Sequence, residues 1–148
     1  MTPAHDTPVT QGSSWLERFV ERCFEASANQ MARDIRSEAP SVYEQLIGDL
    51  ETPLAPPFEA AVAHRLASGD TAGLIPARTL MPEMMVRFGV SPVQFEADQE
   101  LTGLERTCNR CSAVGRCWSA LRHGADAATC RTFCPNAPAF EEKGVSAS

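Results

Sequence analysis

No run in this chain approaches the roughly 18–20 apolar residues that a bilayer span needs, so no segment is expected to cross a membrane. The opening residues, Met1-Thr2-Pro3-Ala4-His5-Asp6, lack the basic-then-apolar order of a secretory leader. The expected address is therefore a reducing cytoplasm, where thiols stay free to ligate metal. A phosphate loop, a Gly-x-Ser-x-Gly elbow and a paired-histidine zinc motif are all missing. With Glu and Asp only scattered, no catalytic residue can be assigned and an enzymatic reading has nothing to rest on. Alternating strand patterns and internal repeats are absent too, which leaves an all-α fold as the expectation.

What is present suits one ordinary domain: 148 residues, 43% hydrophobic and 22% charged, broken often by eleven prolines. The net charge of −6 conceals an asymmetry. Residues 104–131 carry Arg106, Arg110, Arg116, Arg122 and Arg131 against Glu105 and Asp126, whereas the remainder carries −9. A chain this acidic is a poor nucleic-acid binder. The basic stretch has two readings, compensation for nearby thiolate charge or a docking face for an acidic partner or a phosphate backbone.

Residues 1–13 read as a disordered tail. From Ser14, the spacing of Trp15, Leu16, Phe19, Val20, Cys23 and Phe24 makes an apolar helical stripe that Ala28 and Met31 extend towards Ile35. Cys23 on that stripe is expected to pack as a small hydrophobe. Ser41 and Glu44 predict a capped second helix carrying Val42, Leu46, Ile47 and Leu50. Pro56-Pro57 opens a third, on Phe58, Ala61, Val62 and Leu66, which Ser68-Gly69-Asp70 ends. A fourth is expected over residues 79–88, with Leu80, Met81, Met84, Met85 and Phe88 inward and Gly89 closing it. Ser91-Pro92-Val93-Gln94 predicts a capping box; the helix it starts carries Val93, Ala97, Leu101 and Leu104 on a face that reaches Cys108. Cys117, Trp118 and Leu121 begin a last helix ending at Gly124.

Five of the six cysteines fall within residues 108–134: Cys108, Cys111 and Cys117 in a C-x2-C-x5-C array, then Cys130, then Cys134 before Pro135. Such density in a reducing compartment points to metal rather than disulfides. In C-x2-C, two sulfurs on a tight turn grip neighbouring corners of one centre. The five-residue loop lets Cys117 approach from a new helix, and Cys134 returns from a long connection. Four thiolates suit a [4Fe–4S] cluster or a structural Zn2+. The zinc alternative pairs Cys108 and Cys111 with Cys130 and Cys134 and leaves Cys117 spare. A reversible Cys108-Cys111 dithiol is the third reading, although it lacks the usual βαβ context. Among the neighbours, Trp118 is expected to shield the site from water. His123 suits a helix end, and His64 and His5 read as surface residues. The methionines at 81, 84 and 85 read as core filler.

The triplet's spacing resembles that of two [4Fe–4S] families, the endonuclease III-like DNA glycosylases and the WhiB-like regulators. To the latter, Leu104-Glu105-Arg106-Thr107-Cys108-Asn109-Arg110-Cys111 and Cys117-Trp118-Ser119-Ala120-Leu121 are similar in texture as well. In both families the remaining cysteine precedes the triplet, whereas here Cys134 follows it. A wider resemblance covers about residues 79–142. Met84-Met85-Val86-Arg87-Phe88-Gly89-Val90, the triplet with Leu121, and Phe133-Cys134-x-Asn136-Ala137-x2-Phe140 are similar to a small proteobacterial family known as domain of unknown function 6455. That resemblance implies a four-cysteine centre of Cys108, Cys111, Cys117 and Cys134 within a helical wrapper, and no catalytic activity. The expectation is thus a disordered tail (1–13), a helical segment (14–78), a four-cysteine module (79–142) and a short disordered tail (143–148). Its function would be that of a [4Fe–4S] redox or oxygen-responsive module, or an electron-transfer accessory to a protein partner. The alternative is a zinc-stabilised interaction module, with Cys130 as the substitute ligand.

Overall fold

The computed structural model describes residues 6–95 and 98–147, and among them every regular element is helical. In chain order these are α1 (Asp6–Glu38), α2 (Pro40–Gly48), α3 (Pro56–Ala67), α4 (Pro76–Thr79), α5 (Met81–Arg87), α6 (Asp98–Asn109), α7 (Val114–Arg122), α8 (Ala127–Arg131) and α9 (Ala137–Ala147). None is long and apolar enough to cross a membrane. The all-α expectation is met.

Prolines set most of the starts. Pro40, Pro56, Pro76 and Pro82 each stand in the first turn of a helix, where a missing N–H costs nothing. At α2 this overrides the expected cap. The helix begins on Pro40 with Ala39 as its N-cap, and Ser41 makes no cap bond. The buried face is accordingly Tyr43 and Ile47, while Val42 is exposed. The predicted fourth helix is found as α5, starting at Met81 with Pro82 in its first turn, and α4 is a separate single turn ahead of it; Leu80, Met81, Met84 and Met85 are buried as expected. Gly89, at φ 67°, takes the left-handed turn after α5 that a side chain would resist.

Ser91 donates its N–H to Gln94 Oε1 (2.8 Å), one half of the predicted box, but it opens only a single 3-10 turn at Pro92–Gln94. Val93 is consequently in solvent, Ala97 lies outside the described residues, and α6 starts separately at Asp98. Leu101 and Leu104 still pack on the core and lead to Cys108. Helices α8 and α9 are additions to the sequence-based layout. Asp126 caps α8 by accepting the Thr129 N–H (2.9 Å), and α9 runs through residues expected to form a tail.

The first helix departs furthest from its pattern. It starts at Asp6, ahead of Ser14, and among its described side chains those that meet the core are Ala28, Ala32 and Ile35. Trp15, Leu16, Phe19, Val20 and Met31 are exposed. So is Cys23, which corrects the expectation of a core cysteine. The side chain of Phe24 is outside the described set.

One apolar cluster gathers residues from α1 through α9, with Tyr43, Ile47, Val62, Leu66, Leu80, Met84, Met85, Trp118 and Phe140 fully enclosed. Helix α3 lies between α1 and α7. Gly115 permits the α3–α7 approach, because a methyl group there would overlap the Ala63 carbonyl oxygen and stand 3.0 Å from the Ala67 nitrogen. Buried polar links complete this seam. The Trp118 indole N–H donates to the Ile47 carbonyl (2.7 Å), and Arg122 pairs with buried Glu59 (3.1 Å) while covering the Trp118 ring. Arg122 also donates to the carbonyls of Asp49 and Thr52, so α7 is bolted to the α2–α3 connection. His123 stands at the end of α7 as expected, with its ring on Glu59.

Candidate metal centre

Four cysteines line a single cavity. Cys108 comes from the last turn of α6, and Cys111 from the turn after it, where its N–H donates to the Cys108 carbonyl (3.1 Å). Cys117 comes from the first turns of α7, and Cys134 from the turn after α8. Val114, Phe133, Phe140, Leu80, Met81 and Met84 supply apolar walls, and the accessible lining is carbon and sulfur alone.

Two hydrogen bonds fix this frame. Asn136, buried, donates its side-chain N–H to the Leu104 carbonyl (2.9 Å) and so ties the Cys134 turn to α6. Asn109 accepts the Ala77 N–H (2.8 Å), which ties α4 to the other side of α6. Asn136 has no role that its sequence context predicts; an amide directly after a Cys-Pro pair is the local signal for it. Phe133 is likewise without a predicted role. It forms one wall, and the Arg116 guanidinium lies 4.9 Å from its ring centre.

The remaining candidates lie elsewhere. Cys23 is on the exposed side of α1. Cys130 is fully buried in the apolar core and does not line the cavity. Trp118 is not in the lining either; its ring is enclosed between α7 and the Ile47 carbonyl, so it braces the fold rather than shielding the thiols. His64 is exposed on α3, and His5 lies outside the described residues.

Electrostatics within the cavity resist ionisation. Burial pushes the Cys108 thiol up to about 12, helped by the charges Cys111 and Cys134 would carry. Burial pushes Cys117 higher still, with Cys108, Cys134, Cys111 and Cys130 adding to it. Cys134 is raised by burial, against the pull of the Asn136 and Ala137 amides that face its sulfur. Cys130 is raised mainly by burial, while Arg87 acts in the opposite direction. Without a cation the thiols of Cys108, Cys117 and Cys134 therefore stay neutral at physiological pH. A bound cation would displace their protons and relieve the repulsion among the thiolates.

As a donor set, four soft sulfurs in an apolar, partly open cavity suit zinc or an iron–sulfur core. Among the described residues, no three His, Cys, Asp or Glu side chains are drawn close enough to hold a single metal ion. The cavity itself is small, about 20 Å3, which is about the room one water needs. Either occupant would thus require the four side chains to rearrange.

No family model matches the chain, and no curated protein or solved structure matches it.

Proposed function

We propose that Cys108, Cys111, Cys117 and Cys134 hold one [4Fe–4S] cluster. The protein then acts as a redox or oxygen- and nitric-oxide-responsive module, or as an electron-transfer accessory to a protein partner. The observation that carries this reading is the selective convergence of these four thiols on one apolar cavity, while Cys23 and Cys130 face elsewhere. Bound there, such a group supplies reversible one-electron chemistry. The chain's contribution is to supply four thiolates, exclude bulk water with Phe133, Phe140 and Met84, and direct the Asn136 and Ala137 amides at the Cys134 sulfur. With every iron corner taken by a cysteine, no site is left for substrate, which favours electron exchange or sensing over catalysis.

The zinc-stabilised module is the second reading, and the small cavity favours it. The set that includes Cys130 is the weaker zinc arrangement, because that thiol is turned into the core.

Iron, sulfide and zinc analysis of anaerobically prepared protein tests the proposal. The expected result is brown protein with near-stoichiometric iron and sulfide, bleached by oxygen. Cys134→Ser is expected to lose the metal, whereas Cys23→Ser and Cys130→Ser keep it. Colourless protein with one zinc would establish the second reading. Metal loss from Cys23→Ser alone would refute the ligand set.

A further inference from the structure

We propose that the groove between α4 and the C-terminal half of α6 docks an acidic segment of a partner protein. Arg78, Arg106 and Arg110 line it together with Thr102, Asn109 and a single carboxylate, Glu105. All three arginines are exposed.

Their freedom separates them from the other arginines from α2 onward. Arg65 pairs with Asp70 and Arg87 donates to the carbonyls of Ala125 and Leu121. Arg116 bonds Thr132 and covers Phe133, Arg122 holds Glu59, and Arg131 pairs with Glu141. Among the described residues the side chains of Arg78, Arg106 and Arg110 make no ion pair or hydrogen bond, and they share one groove. Arg18, Arg22 and Arg33 of α1 are exposed without a partner among the described residues as well, but they do not line this groove. A guanidinium presents a planar fork that matches a carboxylate, so a row of them suits a run of Asp or Glu.

The surroundings decide the partner class. Outside residues 104–131 the chain carries −9, which repels a long polyanion and leaves only a local patch attractive. A nucleic acid would extend over that acidic remainder, whereas a short acidic segment need not. The groove also shares a wall with the thiol cavity. Pro76 faces the thiols while Ala77 and Arg78 face the groove, and the Asn109–Ala77 hydrogen bond holds this partition in place. A docked segment therefore sits against the metal centre's outer wall, and the proposal stands whichever metal the thiols hold.

Titration of the full chain with a fluorescein-labelled hexaglutamate peptide at low ionic strength tests the groove. Replacing Arg78, Arg106 and Arg110 together by Ala is expected to weaken binding about tenfold or more, the sum of three modest exposed contacts. Replacing Arg18, Arg22 and Arg33 of α1 by Ala removes the same charge and is expected to change binding by less than about twofold. Wild-type affinity should also fall as salt is raised. Equal weakening by both triple variants, no wild-type binding, or tighter binding of a single-stranded DNA of equal charge would each overturn the proposal. Metal content measured on the same preparations keeps the two readings apart, because a metal-free protein that still binds the peptide refutes only the metal centre.

Discussion

The chain's two tryptophans sit in opposite circumstances. Trp118 is wholly enclosed, its N–H on the Ile47 carbonyl and its ring under Arg122. Trp15 is 66% exposed and stacks on Phe19 of its own helix, ring centres 6.0 Å apart. Both belong to apolar stripes of correct helical period. The difference is that α7 has α3 and the α2–α3 connection to lie against. By contrast α1, with 33 residues, is about 50 Å long and outruns the core it covers. Periodicity therefore identifies a helix, while burial depends on what the rest of the chain brings to it.

Replacing each tryptophan with alanine should separate the two regions. Trp118→Ala removes a large enclosed ring and leaves the Ile47 carbonyl without its donor, so a loss of about 3–5 kcal/mol is expected from denaturant unfolding. Gly115→Ala strikes the same seam from the backbone side. Its methyl group cannot fit beside the Ala63 carbonyl unless α3 and α7 separate, and about 1–3 kcal/mol or more should be lost.

Asp70→Asn is expected to cost less, about 1 kcal/mol, because its pairs with Arg36 and Arg65 are only partly buried. Burial pushes the Asp70 carboxyl up, but the two arginines outweigh it and hold the group below its ordinary value of 3.8. The sign follows directly. This stabilisation is complete above pH 3.8 and fades as pH falls through the lower folded value. The gap between wild type and variant should therefore be constant near neutrality and close on acidification; a gap that widens in acid would refute the assignment.

Trp15→Ala should change stability least, by about 0.5 kcal/mol or less. A cost comparable to that of Trp118→Ala would mean that the α1 stripe is covered in solution, and the contrast between the two regions would disappear.

Much of this was legible from the sequence where local chemistry decided the outcome. The Pro56-Pro57 start, the inward Phe58, Ala61, Val62 and Leu66, and the Gly89 turn are all found as expected. Cys108, Cys111, Cys117 and Cys134, the set implied by the family resemblance, line one cavity, whereas spacing alone left a second set with Cys130 open. The failures concern direction. Cys117 and Trp118 are adjacent in sequence, but successive residues on a helix point about 100° apart, so one enters the cavity and the other the core. Cys130 does neighbour the site, close enough for its charge to act on Cys117 and Cys134, but its side chain is buried in the apolar interior and does not line the cavity. The predicted fourth helix begins at Met81 rather than Thr79, because Pro82 belongs in a helix's first turn.

The amide of Asn136 holds the Cys134 turn against α6 by a bond between protein groups alone. Part of the closure of the loop that carries the last thiol therefore belongs to the fold itself. A protein built this way differs from a zinc finger in one practical respect. When its inorganic centre is stripped it should persist as an intact receptacle, ready to be refilled, rather than collapse into an unfolded chain.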